Sequence, residues 1–301
     1  MDLTAFADEV GSTGPVTITG LGMRGGPVAG VRTVRPPSGI EWIQADEMTL
    51  RCGAGTPVDV VDEALIDVGQ CVALPPGGTV GGALSVGHSG VRRLGYGPVR
   101  DVLLQACYVS AGGEVVQAGG PTVKNVSGFD LCRLLVGARG TLGFLGDVII
   151  RTRPRPLHSQ WFTVDADDPF PTFARLYRPV SVLWNGARLW ALLEGHPDDV
   201  SAQASSSSLT ACDGPPALPT GSRRIVSPAS VGSLTGEFVV ELPPLRLPLA
   251  ANVLAKTAAR VEWYLKEALP LFVLGTLLLF FLDRVQLLGA VVRAGEPLVT
   301  G

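Results

Sequence analysis

The chain's 301 residues, 46% hydrophobic and 17% charged, suffice for two cored domains of about 100–200 residues each and exclude extended disorder. A net charge of −3 removes any electrostatic case for nucleic acid as a partner. Cys52, Cys71, Cys107, Cys132 and Cys212 are odd in number and contain no C-x-x-C pair, so neither a disulfide framework nor a zinc or iron–sulfur site is legible. A reducing compartment, the cytoplasm, fits best. The opening MDLTAFADEV carries acids where a secretion signal carries lysine or arginine, so conventional export is not expected. Thirty-eight glycines, well above the usual ~7%, point to many turns or a large loop-bound ligand.

A first strand at Val16–Thr19 runs into GLGMRGG, where Gly20, Gly22 and Gly25 fit G-x-G-x-x-G. A Rossmann turn needs a helix immediately afterwards, because the pyrophosphate sits on its N-terminus. Gly26, Pro27 and Gly30 follow instead, and a strand resumes at Val31–Val34. About five residues remain there, too few for the dozen or more that a parallel crossover takes. The expectation is a strand–loop–strand that is either an ordinary turn or a nest of amides for an anion. After a strand at Thr49–Cys52, Thr56 and Pro57 read as cap and first residue of a helix with Val58, Val61, Leu65 and Val68 as its apolar stripe. LPPGGTVGGALSVGHSG (Leu74–Gly90) is a second glycine-rich loop, where Gly77-Gly78 and Gly81-Gly82 would let backbone amides approach a diphosphate without obstruction by Cβ. Thr79 or Ser89 would add a hydroxyl. Strands are expected at Val102–Val109, Val115–Gln117 and Gly146–Arg151. Between the last two, KNVSGFDLCRLLVGARGTLG sets Gly128, Gly137, Gly140 and Gly143 around an apolar helix, Leu131–Val136, that reads as core. RTRPRPLH marks a boundary; beyond it 157–200 reads as α+β, Ala202–Pro216 as a low-complexity loop and 249–301 as largely helical.

Taken in order, GLGMRGG, CGAGTPVDVVDEAL, LPPGGTVGGALSVGHSG, LGYGPVRDVLLQACYV and GGPTVKNVSGFDLCRLLVGARGTLGFLGDVIIRTRPRP resemble the FAD-binding half of the vanillyl-alcohol oxidase/p-cresol methylhydroxylase family, and within it the FAD-binding subunits of glycolate oxidase. The resemblance covers roughly residues 14–156. It implies an α+β chain: a two-subdomain p-cresol methylhydroxylase-type FAD-binding domain over 1–156 (subdomains about 1–53 and 54–156), then a smaller, reduced α+β C-terminal domain over 157–301. Matched to the family's motifs, Gly20, Leu21, Gly22, Met23, Arg24, Gly25 and Gly26 would lie against the pyrophosphate. Pro76, Gly77, Gly78, Thr79, Val80, Gly81 and Gly82, with Ser89 and Gly90, would run towards the flavin. Lys124 would place charge near the flavin or its phosphates, Ser127 and Gly128 would turn the backbone, and Gly140 to Gly143 would bring a strand close. Covalently flavinylated relatives carry a histidine at a loop glycine position, and GLGMRGG has none, so FAD should be held non-covalently. Many relatives have serine where this chain has Ala138, which removes one hydroxyl.

The family's oxidation of an α-hydroxy acid, of the glycolate or D-lactate type, to a keto acid requires a base and a carboxylate clamp beside the flavin. Of the three histidines, His88 falls in a flavin loop, His158 follows the boundary prolines and His196 precedes Pro197; none has metal-ligand spacing, and no metal is expected. Arg92-Arg93 and Arg151, Arg153 and Arg155 offer either a clamp or a solvated face. Three readings stay open: an FAD-binding subunit working beside a second flavoprotein subunit and an iron–sulfur subunit, a self-sufficient dehydrogenase or oxidase, and a flavin-binding scaffold. Near the end, ALPLFVLGTLLLFFL (Ala268–Leu282) has no charge, yet as a helix it spans only about 22 Å against a hydrocarbon core of ~30 Å. It reads as a membrane span, as a helix packed in the small domain, or as a segment docking on a partner subunit or peripherally on the inner face of the membrane.

Overall fold

The computed structural model describes residues 1–121, 130–218, 240–241, 257–258, 261–262, 265–266 and 269–284. Lys124, Ser127 and Gly128 lie outside them. The chain divides into two compact units, Met1–Pro243 and Pro244–Gly301.

The first unit begins with a small cluster. Helix α1 (Thr4–Val10) packs Phe6 and Val10 with Val34 and Val109. Strands β1 (Val16–Ile18) and β2 (Arg32–Val34) pair in parallel, Val16 opposite Arg32 and Ile18 opposite Val34. This corrects the expectation that no parallel crossover could fit. The whole connection, residues 19–31, is long enough, and the glycine loop itself is the crossover with no helix in it. The Rossmann reading fails because that helix is missing, not because the chain is too short.

The next element is a six-stranded antiparallel sheet in the order β3-β4-β8-β6-β7, with β5 also on β8. Its strands are β3 (Ile40–Gln44), β4 (Thr49–Gly53), β5 (Gln70–Val72), β6 (Leu103–Val109), β7 (Val115–Gly119) and β8 (Phe144–Pro154). The eleven-residue β8 organises this sheet: Leu145 to Ile150 are all buried, and it pairs with β4, β5 and β6. β3 and β4 precede the expected division near residue 53, yet they belong to this larger sheet. Helices α2 (Val58–Ala64) and α3 (Val80–Val86) supply the rest of the core, where Val58, Val61, Leu65, Val80 and Leu84 meet Leu50, Val148 and Ile150. Each such side chain contributes about 1.5–3 kcal/mol by leaving water. Two details of α2 differ from the sequence reading. Pro57, not Thr56, is the residue before the first turn, because the Thr56 hydroxyl is engaged with the carbonyl of Gly53 at 2.7 Å. Val68 lies beyond the end of the helix and is exposed, so the stripe stops at Leu65.

β8 ends at Pro154, and β9 (His158–Asp165) opens a separate antiparallel sheet in the order β12-β9-β11-β10-β13. It contains β10 (Ser181–Trp184), β11 (Arg188–Gly195), β12 (Thr210–Cys212) and β13 (Val240–Glu241). Phe162, Val182, Trp184, Leu189, Ala191 and Leu193 form its core with Val200 and Ala204 of α7 (Pro197–Ser206), and Phe173 of α6 (Phe170–Arg175) packs against them. The expected loop at Ala202–Pro216 is therefore part helix and part strand. Pro197 starts α7, Asp198 and Asp199 sit in its positive first turn, and Ser201 and Ser205 return their hydroxyls to the carbonyls of Pro197 and Ser201. Serine-rich composition concealed these local bonds.

In the second unit, helix α8 (Leu269–Arg284) carries exposed Leu271, Phe272, Leu274, Leu277, Leu278, Phe280 and Phe281. No helix among the described residues is long and apolar enough to cross a membrane.

Candidate functional site

The two glycine-rich loops, some fifty residues apart in sequence, meet. β1 delivers Gly20 against Thr79, so closely that a Cβ on Gly20 would lie 2.8 Å from Thr79 Oγ1. Four residues on, the Arg24 guanidinium donates to the carbonyls of Gly77 (2.6 Å), Pro75 (3.0 Å) and Pro76 (3.1 Å). Its Nη1 occupies the position a Cβ on Gly78 would take. Gly77 and Gly78 have φ of 72° and 67°, the left-handed region that favours glycine. The second loop is anchored in turn to the start of α2: the Gly77 amide donates to Asp59 Oδ1 at 3.1 Å and the Val58 amide to the Gly78 carbonyl at 3.0 Å.

Val80, Gly81 and Gly82, expected in the loop, form the first turn of α3. Thr79 caps that helix by accepting from the Gly82 amide at 3.1 Å. Gly81 is glycine because a Cβ there would sit 2.8 Å from both Cβ and O of Ala54, while its amide donates to that same carbonyl at 2.7 Å. Ser89 Oγ accepts from the Val99 amide at 3.2 Å, and a Cβ on Gly90 would meet Pro75 at ordinary contact distance.

The third glycine-rich stretch docks on the end of α3. The amides of Gly137 and Arg139 donate to the carbonyls of Leu84 and Ser85, and a Cβ on Gly87 would lie 2.9 Å from the Gly137 Cα. A Cβ on Gly140 would lie 2.9 Å from the Phe144 ring, and one on Gly143 (φ 148°) would run into Tyr108 and the Val109 carbonyl. Packing within the protein accounts for both glycines. In α5 (Leu131–Leu135), Cys132 and Leu135 are buried, whereas Leu131 and Leu134 are exposed, so only half of that apolar helix is core.

The arginines expected as a clamp or a solvated face divide. Arg92 and Arg153 both lie over the Tyr96 ring, at 5.7 and 3.7 Å from its centroid, whereas Arg155 donates to the carbonyls of Gln70 and Asp62. Tyr96 in turn donates to Glu194 Oε2 at 2.7 Å. Neither Tyr96 nor Glu194 was legible as a site residue, since only the tertiary fold joins α4 (Arg93–Tyr96) to β11. His88 is exposed, His158 begins β9, and His196 precedes the first turn of α7, accepting from the Asp198 amide. Among the described residues no group of His, Cys, Asp and Glu could hold a metal.

A dinucleotide fits the joined loops. Gly22 and Gly25 have φ of 74° and 141°, and a Cβ on Gly22, Gly25 or Gly26 would meet nothing within 4 Å, so this backbone is open to a ligand. Leu21 and Met23, on either side of Gly22, are 60% and 68% exposed, apolar surface available to a ring system.

Comparison with known proteins agrees. Residues 9–119 match the family model described as FAD binding domain. Glycolate oxidase subunit GlcE of Escherichia coli is 32% identical over 203 residues, 62% of this chain and 58% of that protein. D-lactate dehydrogenase of Archaeoglobus fulgidus is 36% identical over 133 residues, 43% of this chain and 29% of that protein. Glycolate oxidase subunit GlcD of Bacillus subtilis is 40% identical over 78 residues, 26% and 17%. The chain thus spans less than two thirds of the length of each. Among solved structures, alkyldihydroxyacetonephosphate synthase shares the fold, with a TM-score of 0.52 at 15% identity over 66% of this chain and 48% of that one. Ordered motifs, joined glycine loops and these matches lead to one conclusion: residues 9–119 form an FAD binding domain, and the chain is homologous to glycolate oxidase subunits and D-lactate dehydrogenases.

Proposed function

We propose that the chain is an FAD-binding oxidoreductase subunit of a glycolate oxidase-like complex, oxidising an α-hydroxy acid of the glycolate or D-lactate type to the α-keto acid. The observation that carries the reading is the meeting of two glycine loops at Gly20–Gly26 and Pro75–Thr79, with Arg24 between them. Bound FAD would supply the acceptor for the two electrons that leave the substrate carbon. The chain's own part is to expose the amides of Gly22, Gly25 and Gly26 to the diphosphate and to offer Leu21 and Met23 to a ring. Arg92 is paired with Glu194 at 3.8 Å, which leaves Arg153, stacked over the Tyr96 ring, as the cation offered to a substrate carboxylate. With no histidine in GLGMRGG, retention is non-covalent.

The similarity to subunits GlcE and GlcD supports work beside a second flavoprotein subunit and an iron–sulfur subunit. Five free cysteines support a reducing, cytoplasmic location, and the exposed apolar residues of α8 support peripheral association with a partner or the inner face of a membrane. The test is an anaerobic spectrum of the purified chain before and after glycolate or D-lactate. Bleaching of the flavin supports catalysis by the chain itself. A stable flavin spectrum that bleaches once partner subunits are added supports the subunit reading, and one that never bleaches leaves a scaffold. A colourless chain that takes up no FAD overturns the proposal. Acid precipitation should release yellow flavin into the supernatant; flavin in the pellet contradicts non-covalent binding.

A further inference from the structure

We propose that Arg24 is a positioning residue that staples the two cofactor loops together through carbonyl oxygens, rather than a cation that contacts the FAD diphosphate. The inference rests on the reading of these loops as the FAD site. All three hydrogen bonds of its guanidinium run inward, to the consecutive carbonyls of Pro75, Pro76 and Gly77. These are charge-assisted bonds, about twice as strong as neutral ones, and a planar fork can hold three neighbouring acceptors where an ammonium cannot match their geometry. Both backbone groups of Gly77 are held: Arg24 donates to its carbonyl and Asp59 accepts from its amide at 3.1 Å. The glycine at 78 then has a reason inside the protein, because the Arg24 guanidinium fills the space its Cβ would need. Gly22 and Gly25, on either side of Met23 and Arg24, have nothing within 4 Å of where a Cβ would stand, so the arginine reaches away from the open backbone and into the neighbouring loop. Fixing a loop before a ligand arrives removes an ordering cost that would otherwise weaken binding.

Arg24→Lys and Arg24→Met separate the staple from the charge. Both should weaken FAD binding, read by flavin fluorescence quenching, by a similar factor of about 10–100, the size expected when charge-assisted bonds are lost. The salt dependence of the affinity should stay as in the wild type. Affinity of Arg24→Lys within about threefold of wild type, or a salt dependence flattened in Arg24→Met, would assign Arg24 to the diphosphate and overturn the proposal. A readout without cofactor keeps the two readings distinct. In the FAD-free chain, hydrogen exchange of the amides of 77–80 should accelerate at least tenfold in both variants, and unchanged exchange overturns the staple. A wild-type chain that binds no FAD would sink the cofactor reading, and the exchange comparison would then decide the staple by itself.

Discussion

Tyr96 donates its hydroxyl to Glu194 across 2.7 Å, although 98 positions separate them and one lies on α4 while the other is the penultimate residue of β11. Ser159 donates to the second oxygen of Glu194 at 3.0 Å, and Arg153 covers the tyrosine ring. The same short helix places Leu94 against the core of the second sheet, and the Gly95 amide donates to the Val180 carbonyl at 3.0 Å. α4 thus joins the stretch that follows the two glycine loops to the sheet that the sequence assigns to a separate domain. Burial, then the Glu194 carboxylate, push the phenol far above its ordinary value, so Tyr96 remains a donor throughout the usable pH range. Tyr96→Phe keeps the ring under Arg153 and removes only the donor. It should cost about 1.5–3 kcal/mol, as expected for a hydrogen bond to a charged group, and lower the melting temperature by several degrees. An unchanged melting temperature would mean that the contact contributes nothing.

A second buried polar pair attaches β5 to the end of β8. The Thr152 hydroxyl donates to Gln70 Oε1 at 2.5 Å, and the Gln70 amide donates to the Ala45 carbonyl at 2.7 Å. Both side chains are buried. Thr152→Val preserves shape but leaves the Gln70 oxygen without its donor, which should destabilise the chain by about 1–3 kcal/mol in urea denaturation. Thr152→Ser should recover most of that loss. Equal midpoints for the valine variant and the wild type would contradict the assignment.

What the sequence disclosed and what it hid follow from the range of the interactions. Val16–Thr19, Thr49–Cys52 and Val102–Val109 were readable because β-branched and apolar runs announce buried strands, and β1, β4 and β6 lie there. β5 was not, because Gln70-Cys71-Val72 is too short for a pattern and is held by β8 some eighty residues later. The glycine loops were legible as loops, yet the reasons for individual glycines were not. Gly81 answers to Ala54 and Gly143 to Tyr108, contacts made only once the sheet closes. Arg24 illustrates the same limit, since its partners are carbonyls that no side-chain pattern encodes.

That difference among glycines gives a third test. Gly81→Ala would drive a methyl to 2.8 Å from the Cβ and carbonyl of Ala54, where α3 meets the turn after β4 and neither side can yield cheaply. Gly22→Ala meets open space, and its penalty is the left-handed backbone, about 1–2 kcal/mol. Gly81→Ala should therefore lower the stability of the FAD-free chain by more than Gly22→Ala, at about 2–4 kcal/mol, a range typical of overpacked and strained sites. Gly22→Ala should weaken FAD binding more than it lowers stability without FAD. The reverse order in both measurements would show that the loop and helix glycines had been assigned the wrong way round.

The last test concerns the thiols and carries a pH dependence. Burial pushes the Cys52 thiol up to about 12 and the Cys132 thiol up to about 11, whereas Cys212 is half-exposed at the end of β12. Alkylation requires thiolate, so at pH 8 the native chain should label first at Cys212. Cys52 should label only as fast as the chain unfolds. The same shift sets the direction of the stability change. An unfolded thiol loses its proton near pH 8.5–9, while the folded Cys52 keeps it to about 12, so above pH 9 the unfolded state binds fewer protons than the native one. Stability supplied by the protonated thiol is complete below that range and is lost progressively as pH rises through it. Replacing Cys52 by alanine removes this term, so the fall in stability between pH 9 and 11 should be shallower in Cys52→Ala than in the wild type, despite the cavity the variant leaves. Parallel stability curves for the two proteins over that interval, or rapid labelling of Cys52 at pH 8, would show that the thiol is not held in the protonated, buried state.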